Sequence, residues 1–333
     1  MPGSAVELVE RMLRGDRRAL ARLITLVENR ALVVPEIMRR THARIGEAYT
    51  VGVTGPPGAG KSTLVDGLTG VLRKREATVG IIAVDPTSPF TGGAVLGDRI
   101  RMQAHTLDPG VFIRSMATRG SVGGLARATA EVQKLLDAFG MAWILIETVG
   151  VGQTELDVIK LADTTVVVLV PESGDAIQAM KAGLLEAADI FVVNKADREG
   201  AQRLVTELRY MVHLHKEGQQ AGRDLDWEVP ILATEASSGT GVVELVAEIE
   251  RHRAALETTG TLDRRRQGRR ARELRDLLLA GLRREVDRAL GDGGSLAPLL
   301  ADVEAGRLDP YTAVAEIHDR WERLRAIDDP SPS

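Results

Sequence analysis

The chain has 333 residues, 44% of them hydrophobic, with a formal net charge of −4 and no cysteine. That length and apolar share suffice for a core without staples and point to two domains, or one large domain with appendages. The missing cysteines remove disulfides, thiolate metal sites and thiol nucleophiles together, and the acidic balance excludes a dedicated nucleic-acid binder.

The N-terminal residues Met1 to Glu7 lack the basic and apolar regions of a signal peptide. The longest apolar runs, such as 166–170, are far too short to span a bilayer, so a soluble cytoplasmic protein with no membrane or nucleic-acid partner is expected. The first periodic segment reads as a helix: Asp16 fits an N-cap, and Leu20, Leu23, Ile24 and Val27 fall on one face. A short second helix is predicted from Pro35 to Arg44, with proline in its first turn.

From about Ala48 the pattern alternates β with α, with strands predicted near 49–54, 79–84, 111–114, 142–147, 165–170, 189–193 and 229–233. Runs such as 80–84 are continuously apolar, as strands covered on both faces must be. The fold class is therefore α/β: a doubly wound, mostly parallel sheet forming a P-loop nucleotide-binding domain over 47–255. An N-terminal helical arm (1–46) precedes it and a C-terminal helical dimerisation region (256–333) follows.

Between the first strand and a helix predicted over 61–71 stands Gly55-Pro56-Pro57-Gly58-Ala59-Gly60-Lys61-Ser62-Thr63, a G-x-x-x-x-G-K-[ST] loop. Its glycines let successive N–H groups turn inward on phosphate oxygens, and the helix N-terminus adds partial positive charge. Lys61 is expected to reach the β- and γ-phosphates and the Ser62 hydroxyl to ligate Mg²⁺. The second strand runs into a long glycine-rich loop, 85–99, expected to carry Asp85 and Asp98 to Mg²⁺ as a first switch; solvated loop acids are the alternative. Trp143 to Gly150 has the form of a Walker B strand, delivering Glu147 to the metal and the Gly150 N–H to the γ-phosphate, against the plainer reading of a core strand ending in an ordinary glutamate. Gln153 is a candidate to orient the attacking water.

Lys181, in the loop 171–181 after the fifth strand, is either a charge that stabilises the leaving phosphate or a surface lysine. Asn194-Lys195-Ala196-Asp197 then follows a buried-strand run, at a sheet's carboxyl edge where ligands bind. A carboxylate there accepts from N1–H and the exocyclic amine of guanine, whereas adenine opposes it with a lone pair. Glu235-Ala236-Ser237 follows the last strand, and the Ala236 N–H is expected at the guanine O6. His213 and His215 read as surface histidines rather than metal ligands.

Past residue 255 the signals are helical: Leu274, Leu277, Leu278, Leu282, Val286 and Leu290 form a stripe, Gly291 to Gly294 break it, and Asp309-Pro310 starts a last helix. These leucines are expected to pack on the nucleotide domain or, preferably, on a second subunit. The run from Arg264 to Arg270 is a solvated helix face or a basic patch for a partner.

Assembled, these segments resemble the MeaB/ArgK family of GTPases, chaperones of adenosylcobalamin-dependent acyl-CoA mutases that include the methylmalonic aciduria type A protein. The resemblance rests on Gly15 to Glu28, the phosphate loop, Gly92-Gly93-Ala94-Val95-Leu96-Gly97-Asp98-Arg99, Glu147-Thr148-Val149-Gly150-Val151-Gly152-Gln153 and Asn194 to Asp197, spanning most of 15–245. It implies Mg²⁺-dependent hydrolysis of GTP, with GTP and GDP as bound nucleotides, and a homodimer through the C-terminal helices. It also implies control of cobalamin loading and protection of a mutase, with a cobalamin adenosyltransferase as a further partner; the loop matching 171–181 becomes a switch read by the mutase. Two other readings are a small-substrate or transport-associated kinase, as the ArgK label suggests, and a nickel-type metallochaperone GTPase. The guanine motif counts against the first and the absence of cysteine against the second.

Overall fold

Seven strands form one parallel sheet in the computed structural model, which describes residues 4–85, 105–117, 122–148, 159–171, 185–218 and 227–328. They are β1 (Tyr49–Thr54), β2 (Val79–Asp85), β3 (Val111–Ala117), β4 (Trp143–Thr148), β5 (Thr164–Leu169), β6 (Ile190–Asn194) and β7 (Ile231–Thr234), in the order β3-β2-β4-β1-β5-β6-β7. The helices around it are α1 (Ala5–Leu13), α2 (Arg17–Glu28), α3 (Val34–Thr41), α4 (Lys61–Lys74), α5 (Val122–Phe139), α6 (Ala201–Gly218) and α7 (Val242–Thr258). Beyond them come α8 (Thr261–Leu290), α9 (Ala297–Glu304) and α10 (Pro310–Asp328). The chain divides into two compact units, Met1–Arg265 and Arg266–Ser333.

Every residue of β1, β4, β5 and β6 is buried, which is why those strands read as unbroken apolar runs instead of alternating ones. Along β4 the pleat sorts side chains between two cores. Trp143 and Leu145 join Leu64, Leu68, Leu245 and Ile249 of α4 and α7 on one face. Ile144 and Ile146 join Leu20, Leu23, Ile24, Leu135 and Leu136 of α2 and α5 on the other. The N-terminal helices thus cover half of the sheet. Asp16 caps α2, accepting from the amides of Arg18 (2.8 Å) and Ala19 (3.1 Å), while Arg11 of α1 grips the same carboxylate at 2.6 Å.

Boundaries differ from the sequence reading where tertiary bonds decide them. α1, not separately assigned within the helical arm expected over 1–46, is capped by Ser4, and Leu8, Val9 and Met12 mark its buried face. The second short helix ends at Thr41, and 42–44 tighten into a 3₁₀ turn. β5 starts one residue early, because Thr164 already pairs with Val51, and β3 extends three residues past 114 in register with β2. α8 ends at Leu290, where the glycine break was expected, and Asp309 caps α10 through the amides of Tyr311 and Thr312. The intervening α9 was not foreseen.

Candidate nucleotide site

β1 lies between β4 and β5, so the loop that leaves its carboxyl end is flanked by the carboxyl ends of both neighbours. Close neighbours and a left-handed turn dictate two of the loop's glycines. A Cβ on Gly55 would lie 2.0 Å from the Val168 carbonyl oxygen, and one on Gly60, at φ +86°, would lie 2.4 Å from Asn194 Nδ2. Lys61 opens α4 and is only 5% exposed; its Nζ donates to the carbonyls of Gly55 at 2.8 Å and Pro56 at 2.9 Å, folding the side chain back over the loop. The next residue, Ser62, donates from Oγ to Glu147 Oε1 at 2.6 Å, and both are buried. Thr63 follows on the exposed side of the helix.

Asn194 is 2% exposed and acts as a staple. Its Nδ2 donates to the Ala59 carbonyl at 2.8 Å, and its Oδ1 accepts from Thr234 Oγ1 at 3.1 Å and from the Ala236 amide at 3.0 Å. One side chain therefore ties the phosphate loop to the end of β7 and to the Glu235-Ala236-Ser237 turn. The Ala236 amide, expected at the guanine O6, donates to Asn194 here. Lys195 takes the left-handed conformation at φ +57°, the Ala196 amide bonds the Thr234 carbonyl at 3.0 Å, and Asp197 stands exposed on the turn that follows.

Gly55 to Thr63, Glu147, Asn194 to Asp197 and Glu235 to Ser237 thus come together at the carboxyl edge of one sheet. Asp98, Gly150, Gln153 and Lys181, with the side chain of Asp85, lie outside the described residues. Among the described residues no cluster of three His, Asp or Glu side chains could hold a metal ion, and no helix is long and apolar enough to cross a membrane. His213 is exposed.

A phosphate-loop signature, an acid ending β4 beside its serine and an Asn-Lys-x-Asp turn after β6 narrow the comparison to GTPases. Residues 20–289 match the family model described as methylmalonyl Co-A mutase-associated GTPase MeaB. The chain belongs to the MeaB family of GTPases. Within the family it is 51% identical over 307 residues to a putative GTPase of Pyrococcus abyssi, covering 92% of this chain and 94% of that one. It is 33% identical over 273 residues to the mitochondrial methylmalonic aciduria type A homolog of Mus musculus, covering 77% and 65%. A crystal structure of an LAO/AO transport system kinase superposes with a TM-score of 0.68 at 26% identity, covering 97% of this chain and 99% of that one. The chain is accordingly a GTP hydrolase on a parallel α/β nucleotide-binding fold with added helices.

The sequence reading missed a second constellation at the opposite, amino edge of the sheet: Tyr49, Asp163, Thr164, Asp189, His252 and Arg265. Its signal was a histidine on an apolar face, since His252 continues the buried stripe of Val242, Leu245, Val246 and Ile249 in α7. Arg265 corrects the picture of the arginine run as a uniform face: it turns inward to Asp189.

Proposed function

We propose that this MeaB-family GTPase is a cytoplasmic chaperone of an adenosylcobalamin-dependent acyl-CoA mutase of the methylmalonyl-CoA mutase type, gating cofactor loading and protecting the loaded enzyme. The observation that carries the reading is the match of residues 20–289 to a mutase-associated GTPase family. In this scheme the amides of Gly55 to Thr63 and the Lys61 ammonium hold the β- and γ-phosphates, Asp197 accepts from the guanine edge, and Asn194 holds the loops in register. The Glu235 to Ser237 turn closes the base pocket. Ser62 and Glu147 offer a hydroxyl and a carboxylate oxygen 2.6 Å apart, the hard oxygen donors that suit Mg²⁺, with Asp85 and Asp98 as further ligands. Bound there, Mg²⁺ supplies charge neutralisation at the phosphates. Gly150 contacts the γ-phosphate and Gln153 orients water. A homodimer through the C-terminal helices completes the assembly, and a cobalamin adenosyltransferase is a further partner.

Neither Gly55 to Thr63 nor Glu147 to Gln153 contains an arginine. Supplying a missing charge is worth about 10³–10⁵ in rate in other GTPases, so the isolated protein is a slow enzyme that the mutase accelerates, with Lys181 as the charge brought in. GTP turnover measured with and without a purified mutase tests this. Stimulation of wild type that is lost in Lys181→Ala supports the scheme; no stimulation by any cobalamin-dependent acyl-CoA mutase overturns the chaperone role.

A further inference from the structure

Loops of the candidate nucleotide site leave the carboxyl ends of β1 and β6, with β5 between them in the sheet, and the residues that begin or immediately precede these three strands are joined at the other edge. Tyr49 Oη lies 2.6 Å from Thr164 Oγ1, which lies 2.8 Å from Nδ1 of the fully buried His252. The other ring nitrogen, Nε2, lies 3.3 Å from Asp189 Oδ1 without a hydrogen bond of full geometry. Asp189 in turn accepts from the Thr165 amide through Oδ2 (2.8 Å) and from Trp227 Nε1 through its carbonyl (2.8 Å). Asp163 exchanges two bonds with Thr50, its Oδ2 accepting at 3.1 Å and its amide donating at 2.8 Å.

The direction of this chain depends on a proton. With the imidazole neutral and its hydrogen on Nε2 toward Asp189, Nδ1 accepts from Thr164 and Thr164 accepts from Tyr49, so every hydroxyl hydrogen has an acceptor. A proton on Nδ1 reverses the order: His252 donates to Thr164, Thr164 turns its hydrogen to Tyr49, and the buried Tyr49 hydroxyl loses its acceptor, a costly state. Burial holds the Tyr49 phenol well above its ordinary range, so it remains a donor. Asp189 is the charged group against the imidazole, and Arg265 of α8 lies 3.4 Å from the same Asp189 oxygen. Arg253 lies 4.9 Å from the Tyr49 ring and Arg251 4.3 Å from the Trp227 ring.

The far ends of these strands are poorly tolerant of displacement. Gly55 sits against the backbone of Val168 of β5 with no room for a methyl group, and the Asn194 side chain at the end of β6 bonds the Ala59 carbonyl, so a shift of β1 relative to either neighbour is felt in the phosphate loop. Strands of five or six residues span about 16–20 Å as rigid, fully buried rods.

We propose that His252 is a positioning residue for the nucleotide site, acting through the starts of β1, β5 and β6 to set how firmly the phosphate loop holds nucleotide. The test is the release rate of a fluorescent GDP analogue from the full chain at neutral pH. Wild type is compared with His252→Gln, which keeps a donor toward Asp189, His252→Asn, which keeps an acceptor toward Thr164, and Tyr49→Phe, which removes one hydroxyl. Thermal melts verify folding. The histidine variants are expected to change release by about two- to thirtyfold while remaining folded, with Tyr49→Phe shifting the rate in the same direction. Wild-type release from a folded His252 variant overturns the proposal, whether or not its melting temperature is lowered. If neither histidine variant folds, a folded Tyr49→Phe with the wild-type rate overturns it. No mutase enters the measurement, so its result is independent of the chaperone reading.

Discussion

An accepting carboxylate at Asp197 is what makes guanine the preferred base in the proposed site, because both N1–H and the exocyclic amine donate toward it. Asp197→Asn presents a donor where xanthine offers a carbonyl. GTP binding is expected to weaken by about ten- to a hundredfold, the usual worth of a charge-assisted pair, while xanthosine triphosphate binding improves. Calorimetric titration with both nucleotides reads this directly, and unchanged GTP preference removes Asp197 from the base site. The other informative carboxylate is Asp189. Burial alone raises its pKa, but the His252 imidazole, the Arg265 guanidinium and the Thr165 amide outweigh that and hold it below the ordinary carboxylate range. A depressed folded-state value stabilises the protein above the unfolded carboxyl's pKa, and that stability is lost as pH falls through the folded one. Asp189→Asn is therefore expected to cost about 3–5 kcal/mol at neutral pH, the usual penalty for breaking a buried charge pair. The gap between wild type and variant, followed by urea denaturation, should close as the pH falls into the acid range. A gap independent of pH would mean that the charge of Asp189 contributes nothing.

At the scale of elements, Asn194 shows why a motif can be visible while its geometry is not. Its place in Asn-Lys-x-Asp marked it as part of a base-reading turn, yet the side chain points inward and holds the phosphate loop, β7 and the following turn together. Such a bond across 135 residues of chain has no local signature. Asn194→Ala leaves the Ala236 amide without its partner, and the expected loss is about 1–3 kcal/mol for each buried group orphaned. Nucleotide affinity should fall with it, measurable by titration beside a thermal melt; full affinity at reduced stability would separate the staple from the site. The central strands β1, β4, β5 and β6 were legible because burial on both faces demands unbroken apolar runs, and α2 because Asp16 and its leucine face coincide. What stayed hidden was set by contacts remote in sequence: the early start of β5, and the inward turn of Arg265 out of a run of arginines that looks solvated. Residue 252 was overlooked for a different reason, since a polar side chain on an apolar helix face carries no sign of the partner that satisfies it.

For the whole molecule, the unit Arg266–Ser333 poses the remaining physical question. Leu274, Leu278 and Leu282 of α8 recur every four residues, and each is more than half exposed at 60%, 59% and 57%. Tyr311 and Val314 of α10 are also exposed. Single exposed leucines are ordinary, but a continuous stripe on a helix is the signature of a surface that associates. Helices of opposite subunits packing along such stripes give a closed, isologous dimer, the commonest arrangement of soluble oligomers. Charge on the stripe should abolish it: Leu278→Glu combined with Leu282→Glu is expected to convert a dimer to a monomer in sedimentation analysis. GTP turnover should be retained, because the candidate nucleotide site lies within the unit Met1–Arg265. If wild type sediments as a monomer and dimerises at no accessible concentration, the stripe is not a self-association surface. The same double variant then tests the mutase as its occupant, through loss of the stimulation of GTP turnover that the mutase confers on wild type.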